Sequence, residues 1–224
     1  MELDLQLFYD FEKGLAPSIL RIYSWKPKCI SLGYSQKAEE EIDFEKASSL
    51  GWDVVRRPTG GGIVFHNEAE VTYSLVTAIE NPLLPKGLVP SYKRISEAVI
   101  YSLRKLGIEA QIKKTRDWRP ATTRLSSSKS RDSLCFSSPV EYEVVLGGRK
   151  IVGSAQKRGK KALLQQGSIF VRNLSREDFV VLKKPFGEYN AVSVEEALGR
   201  EVGFGELSEV LIRGFEEVLG VKFK

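Results

Sequence analysis

The stretch Arg56-Arg57-Pro58-Thr59-Gly60-Gly61-Gly62-Ile63-Val64-Phe65-His66 decides how this chain is read. β-Branched and aromatic residues flank three successive glycines, which predicts two strands joined by a loop. Glycines in series let backbone N–H groups turn towards a ligand, and they admit a carbonyl or a chain where a Cβ would block it. Arg56 and Arg57 add forked donors suited to a phosphate or carboxylate. The alternative is a merely flexible hairpin turn, because such a loop does not name its own ligand. It is not a P-loop, since no Gly-Lys-Ser/Thr comes after it, and it lacks the Gly-x-Gly-x-x-Gly spacing of dinucleotide binders. His66, the only histidine, is the one candidate for an imidazole base and equally a structural group closing the hairpin. It is assigned to a substrate pocket.

Upstream, Leu5, Phe8, Tyr9 and Leu15 recur at near-helical spacing and predict a helix from Leu3 to Gly14. Ile19–Tyr23 and Cys29–Gly33 are β-type runs around Lys26-Pro27-Lys28, and we read them as a hairpin. Ile42, Phe44, Ala47 and Leu50 predict an amphipathic helix over 39–50, followed by a strand over 52–57. Downstream come strands at Ile63–Phe65 and Val71–Val76, then a helix at 91–106 carrying Ile95, Val99, Leu103 and Leu106 on one face. Residues 113–134, rich in Arg, Ser and Thr, form a candidate mobile loop. Strands are predicted at 141–146, 150–155 and 162–171, with Gly147-Gly148 supplying a hairpin turn of positive φ. Ser193 and Glu196 fit a capping box, Gly199 a stop, and Leu207, Val210, Leu211, Phe215 and Leu219 a last helix over 206–219. This order predicts one α+β domain over 1–224, with a mixed, largely antiparallel β-sheet and packed helices.

Composition narrows the classes. With 224 residues, 42% hydrophobic and 28% charged, the chain is neither disordered nor collagen-like nor a disulfide miniprotein. Its 34 basic against 29 acidic residues give +5, a modest excess that favours acidic partners. Two cysteines, Cys29 and Cys135, stand far apart in no metal-ligand spacing, so no metal site is expected and the setting is cytoplasmic. The start lacks a signal-peptide pattern and no apolar run reaches membrane-spanning length.

The glycine stretch resembles the Arg-Arg-x-Ser/Thr-Gly-Gly-Gly-x-Val-x-His signature of the biotin/lipoate protein ligase (BPL/LPL) superfamily, which includes octanoyltransferases. Leu20–Gln36, Gly148–Arg158, Ala197–Val202 and Phe215–Val221 agree with it. The resemblance implies that superfamily's catalytic domain as the fold. Within it, Cys135-Phe136-Ser137-Ser138-Pro139-Val140-Glu141-Tyr142-Glu143 resembles the Cys-Phe-x-x-Pro-x-x-Tyr-Glu segment of LipM-type octanoyltransferases. There the cysteine carries an acyl thioester and a lysine lowers its pKa, roles the resemblance places on Cys135 and Lys150. A nearby ammonium does favour the nucleophilic thiolate over the thiol. Without the resemblance, Cys135 reads as a buried small hydrophobe, as Cys29 does.

The resemblance therefore implies an octanoyltransferase acting in protein lipoylation. It takes octanoyl from octanoyl-acyl carrier protein onto Cys135, then passes it to a lysine of a lipoyl domain, such as glycine cleavage H protein or a dehydrogenase E2. No cofactor, nucleic acid or membrane partner is implied, and a monomer is expected. The alternative is an ATP-dependent lipoate-protein ligase working through an acyl-adenylate, with ATP and Mg as its requirements. The expected substrate-binding set is Arg57, Gly60, Gly61, Gly62, His66, Gly153, Ser154, Gln166 and Gly167, and Ile63, Val71, Leu75 and Val152 are expected as walls for the acyl chain. One departure stands out: where relatives usually read Leu-Gln-His-Gly-Ser, this chain reads Leu164-Gln165-Gln166-Gly167-Ser168. Glutamine keeps a donor and an acceptor but cannot take up a proton.

Overall fold

A computed structural model describes residues 1–113, 142–185 and 189–224. The elements run α1 (Glu2–Glu12), β1 (Ile19–Tyr23), β2 (Cys29–Leu32), α2 (Ala38–Glu41), α3 (Phe44–Ser49), β3 (Asp53–Arg56), β4 (Val64–His66), β5 (Val71–Ala78), α4 (Leu88–Lys105) and β6 (Gln111–Ile112). After residues 114–141 come β7 (Val144–Leu146), β8 (Arg149–Arg158), β9 (Ala162–Ile169), a 3₁₀ turn (Arg176–Val181), α5 (Val194–Leu198) and α6 (Phe204–Leu219). The chain is α+β, but its strands form two sheets rather than one. The larger has the order β1-β5-β9-β8-β7-β6 with every pairing antiparallel, and the smaller has the order β3-β2-β4.

The expected hairpin of the first two strands does not form. β1 pairs with β5 in the large sheet, whereas β2 pairs with β3 in parallel and with β4 antiparallel. Each run has β propensity, but propensity is silent about partners, and long-range pairing decided the matter. The helix expected over 39–50 is also broken, because Asp43 accepts a hydrogen bond from Lys46 N–H as an N-cap and starts α3 afresh. Gly147 and Gly148 do turn the β7–β8 hairpin with φ +57° and +83°, as a type I′ turn requires. Ser193 caps α5 by accepting from Glu196 N–H. The return half of that box is not made, because the Glu196 carboxylate receives Arg149 and Asn173 instead.

Burial explains how the sheets are held. α4 and α6 cover one face of the large sheet, where Tyr73, Ile95, Leu103, Ile151, Leu163, Leu211 and Phe215 form the main core. The two helices pack closely at Gly214, where a Cβ would stand 2.7 Å from the Ala98 carbonyl oxygen. On the other face α1 lays Phe8 against Val76, Ala162 and Leu164. The small sheet packs a separate core of Ile30, Leu32, Trp52, Ile63, Phe65 and Phe179. Among the described residues no helix is long and apolar enough to cross a membrane.

Candidate active site

A cavity of about 610 Å³ opens between the two sheets. Arg57, Gly60, Gly61, Gly62 and His66 line it from the small sheet and its loop, and Gly153, Ser154, Gln166 and Gly167 line it from β8 and β9. All nine residues expected to bind substrate therefore face one space.

The glycine loop is wound round Arg57. Nη1 donates to the Ser31 carbonyl at 2.9 Å and to Ser31 Oγ at 3.2 Å, and Nη2 donates to Gly60 O at 2.9 Å and Gly62 O at 2.6 Å. A guanidinium whose donors already hold carbonyls shapes the loop as well as the cavity wall. Gly61 takes φ +95°, a left-handed backbone that favours glycine. Gly33, outside the expected set, is the loop's floor: a Cβ there would overlap Gly61 O and stand 3.0 Å from Gly61 C.

Gln166 ties three elements together. Its Oε1 accepts from Thr59 Oγ1 at 3.0 Å and its Nε2 donates to Asp4 Oδ2 at 2.7 Å, so β9, the glycine loop and α1 are joined through one amide. Asp4 is fully buried and also receives Arg21 and the Tyr23 hydroxyl. Burial first, and the Asp4 charge next, push the Tyr23 phenol up, so it stays a donor. This glutamine is thus structural glue where it stands.

His66 is buried at the end of β4 and bonded at both nitrogens. Nε2 lies 2.6 Å from Ser31 Oγ and Nδ1 2.6 Å from Glu70 Oε1, while the ring stacks on Trp25 at 4.1 Å between centroids. Thr72 Oγ1 donates to Glu70 Oε1 at 2.8 Å and Trp25 Nε1 donates to Thr72 Oγ1 at 2.8 Å. Neither Ser31 nor Glu70 was expected from the sequence.

Lys150, on β8, is fully buried and its Nζ donates to Glu143 Oε1. The β7–β8 hairpin makes that approach, pairing Lys150 with Val145 across a register shift. A charge so deep needs such a partner. Lys150 itself does not line the cavity, whereas Glu143 and Tyr142 do. Tyr142 adopts φ +70° with Lys93 Nζ 4.2 Å over its ring; a non-glycine residue held there costs of order 1 kcal/mol, a strain typical of functional segments. Cys135, and residues 114–134 of the expected mobile loop, lie outside the described residues.

The expected acyl walls are corrected. Ile63 belongs to the small core, and Val71, Leu75 and Val152 belong to the main core. The apolar lining comes instead from Val64, Leu88, Val89, Tyr92 and Ala155. Hydrophobicity marks these four residues as buried but does not say whether they face a core or the cavity. Of the basic residues near the β8–β9 turn, Arg158 is committed to Ser91 Oγ at 3.1 Å and Gln156 Oε1 at 3.1 Å.

Comparison with known proteins places this geometry. The family model of the lipoyl protein ligase A/B catalytic domain matches residues 1–216. The chain belongs to that family. It is 38% identical over 234 aligned residues to octanoyltransferase LipM of Kyrpidia tusciae, covering 100% of this chain and 84% of that one. It is also 38% identical to octanoyltransferase LipM of Moorella thermoacetica, covering 100% of this chain and 82% of that protein. Among solved structures, a lipoate-protein ligase A bound with ATP superposes with a TM-score of 0.77 at 28% identity, over 99% of this chain and 80% of its own.

Proposed function

We propose that this lipoyl ligase A/B family member is an octanoyltransferase of protein lipoylation. The observation that carries the reading is the match, along the entire chain, to relatives named octanoyltransferase LipM. The cavity supports it: about 610 Å³ lined by Val64, Leu88, Val89 and Tyr92 on one side and by glycine backbone on the other suits an apolar chain ending in a polar carbonyl.

The donor in this reading is octanoyl-acyl carrier protein. The Cys135 thiolate attacks the thioester carbonyl, a C–S bond to Cys135 forms, and the carrier thiol leaves. The ε-amine of a lysine on a lipoyl domain, glycine cleavage H protein or a dehydrogenase E2, then takes the octanoyl group as an amide and frees Cys135. Lys150 favours the thiolate by its charge, and Glu143 holds that buried ammonium in place. No cofactor or metal enters, and the enzyme works as a cytoplasmic monomer.

The structural likeness to the ATP-bound ligase supplies the competing reading, in which an acyl-adenylate replaces the thioester. Intact-protein mass spectrometry after incubation with octanoyl-acyl carrier protein, without ATP, separates the two. A hydroxylamine-labile octanoyl adduct on the wild type, absent from Cys135→Ala and chased off by an apo lipoyl domain, is expected. Acceptor acylation that needs ATP and free octanoate, with no adduct, refutes the thioester.

A further inference from the structure

Ser31, His66 and Glu70 sit in series between the cavity and the buried interior. Ser31 and His66 line the cavity, and all three are at most 2% exposed. With Glu70 as a carboxylate and the His66 ring neutral, the partners set the direction of each bond. A carboxylate only accepts, so at 2.6 Å from Glu70 the His66 Nδ1 must carry the proton. In the neutral ring Nε2 is then an acceptor, so the Ser31 hydroxyl, 2.6 Å away, donates to it. That hydroxyl retains two lone pairs. Arg57 Nη1 takes one at 3.2 Å, and the other is left for a donor in the cavity.

The ring cannot turn away from this task. Trp25 stacks on it at 4.1 Å, and Thr72, itself held by Trp25 Nε1, fixes the Glu70 oxygen that His66 uses. The second Glu70 oxygen, Oε2, is buried without a hydrogen-bond partner. A neutral histidine serving only to satisfy the fold needs one acceptor and one donor, which Glu70 Oε1 and the Ser31 hydroxyl supply. Beyond that need, a carboxylate whose second oxygen is buried and unbonded favours an imidazolium when one forms.

We propose that Ser31-His66-Glu70 is the proton relay that deprotonates the acceptor lysine during amide formation. The acceptor ammonium gives its first proton to Ser31 Oγ as the Ser31 hydroxyl proton passes to His66 Nε2, and the free amine so formed attacks the acyl carbonyl. The N–C bond forms, the bond from that carbon to the leaving group breaks, and the departing group carries off the second proton of the nitrogen. Glu70 stabilises the resulting imidazolium, which returns its proton to water when product leaves. The leaving group is the Cys135 thiolate in the reading given above. The relay rests on that reading only for the identity of the leaving group, because an adenylate would need the same proton removed.

The test compares two amines attacking the same enzyme-bound octanoyl group: the lysine of an apo lipoyl domain, protonated at pH 7, and hydroxylamine, already a free base there. The acyl group is loaded from octanoyl-acyl carrier protein. If wild type forms no adduct, which refutes the thioester alone, it is generated in place with ATP and octanoate. For Ser31→Ala and His66→Gln, the ratio of lysine rate to hydroxylamine rate is expected to fall about 100-fold, the usual contribution of a positioned base. Glu70→Gln is expected to lower it less, by keeping a hydrogen bond to Nδ1 without the charge. Ser31→Ala removes a single oxygen, so it remains readable if His66→Gln does not fold. An unchanged ratio in Ser31→Ala, or equal loss with both amines, overturns the relay, since a purely structural role slows both nucleophiles alike.

Discussion

Adding one methyl group at Gly33 should disable the site while leaving most of the fold. Its Cβ would overlap the Gly61 carbonyl oxygen and lie 3.0 Å from Gly61 C and 3.2 Å from Gly60 C. All three are backbone, so no side chain can swing aside. Carbon contacts relax only at about 3.5–4.0 Å, so the loop must retreat by roughly 1 Å. Retreat loosens the carbonyls of Gly60 and Gly62 from Arg57, which holds them at 2.9 Å and 2.6 Å. Overpacking of this kind costs about 1–3 kcal/mol, and at about 2–4 °C per kcal/mol for a chain of this size the melting temperature falls by roughly 2–12 °C. A misplacement of about 1 Å costs about 100-fold in rate. Gly214→Ala is the control, crowding Ala98 O and Ser102 at the α4–α6 crossing, remote from the cavity. Calorimetry for stability, with octanoyl transfer assayed well below either melting temperature, decides the matter. Similar losses of stability with a far larger loss of rate in Gly33→Ala are expected. Equal fractional losses of rate in the two variants would refute the claim that Gly33 acts through the loop.

Two further outcomes are open to measurement. Gln166→His, which restores one donor and one acceptor, should keep the link between Thr59 and Asp4, whereas Gln166→Leu leaves both without that partner and should cost about 1–3 kcal/mol by urea denaturation. Burial pushes the Cys29 thiol up to about 12, so iodoacetamide at pH 8 should spare Cys29 in the native protein and label it once unfolded, as peptide mapping would report. The sign at alkaline pH comes from the same shift: the unfolded chain ionises first, so this contribution to stability is complete below about 9 and is lost as pH rises towards 12.

Much of the fold was legible because each element obeys local rules. Gly147-Gly148 needed positive φ, and the stripe through Ile95, Val99 and Leu103 faces the core as its spacing required. Partnership between strands was not legible. Ile19–Tyr23 and Cys29–Leu32 have the same local character yet enter different sheets, for reasons that lie in β5 and β3 far along the chain. The cavity-lining glycines, His66 and Gln166 came from motif resemblance, while Ser31, Glu70, Asp4 and Gly33 did not. Signals for two of them were present. Glu70 lies four residues after His66 across a turn, and Asp4 precedes Phe8 by four on the inner face of α1, where a carboxylate among apolar neighbours demands a partner. Ser31 gave none, since a serine in a short apolar strand is ordinary until its neighbour is known.

That the cavity lies between two separately packed sheets has a mechanical consequence. One wall, with the glycine loop and His66, rests on the cluster around Ile30, Trp52 and Phe65, and the other, with Ser154 and Gly167, rests on the larger cluster around Tyr73 and Phe215. The bond from Thr59 to Gln166 crosses the gap. An occupant lodged there touches both walls and becomes a removable keystone, since whatever binds the assembled form preferentially stabilises it. In the proposed cycle, loading the acyl group would therefore also tighten the frame that discharges it, and discharge would loosen that frame again.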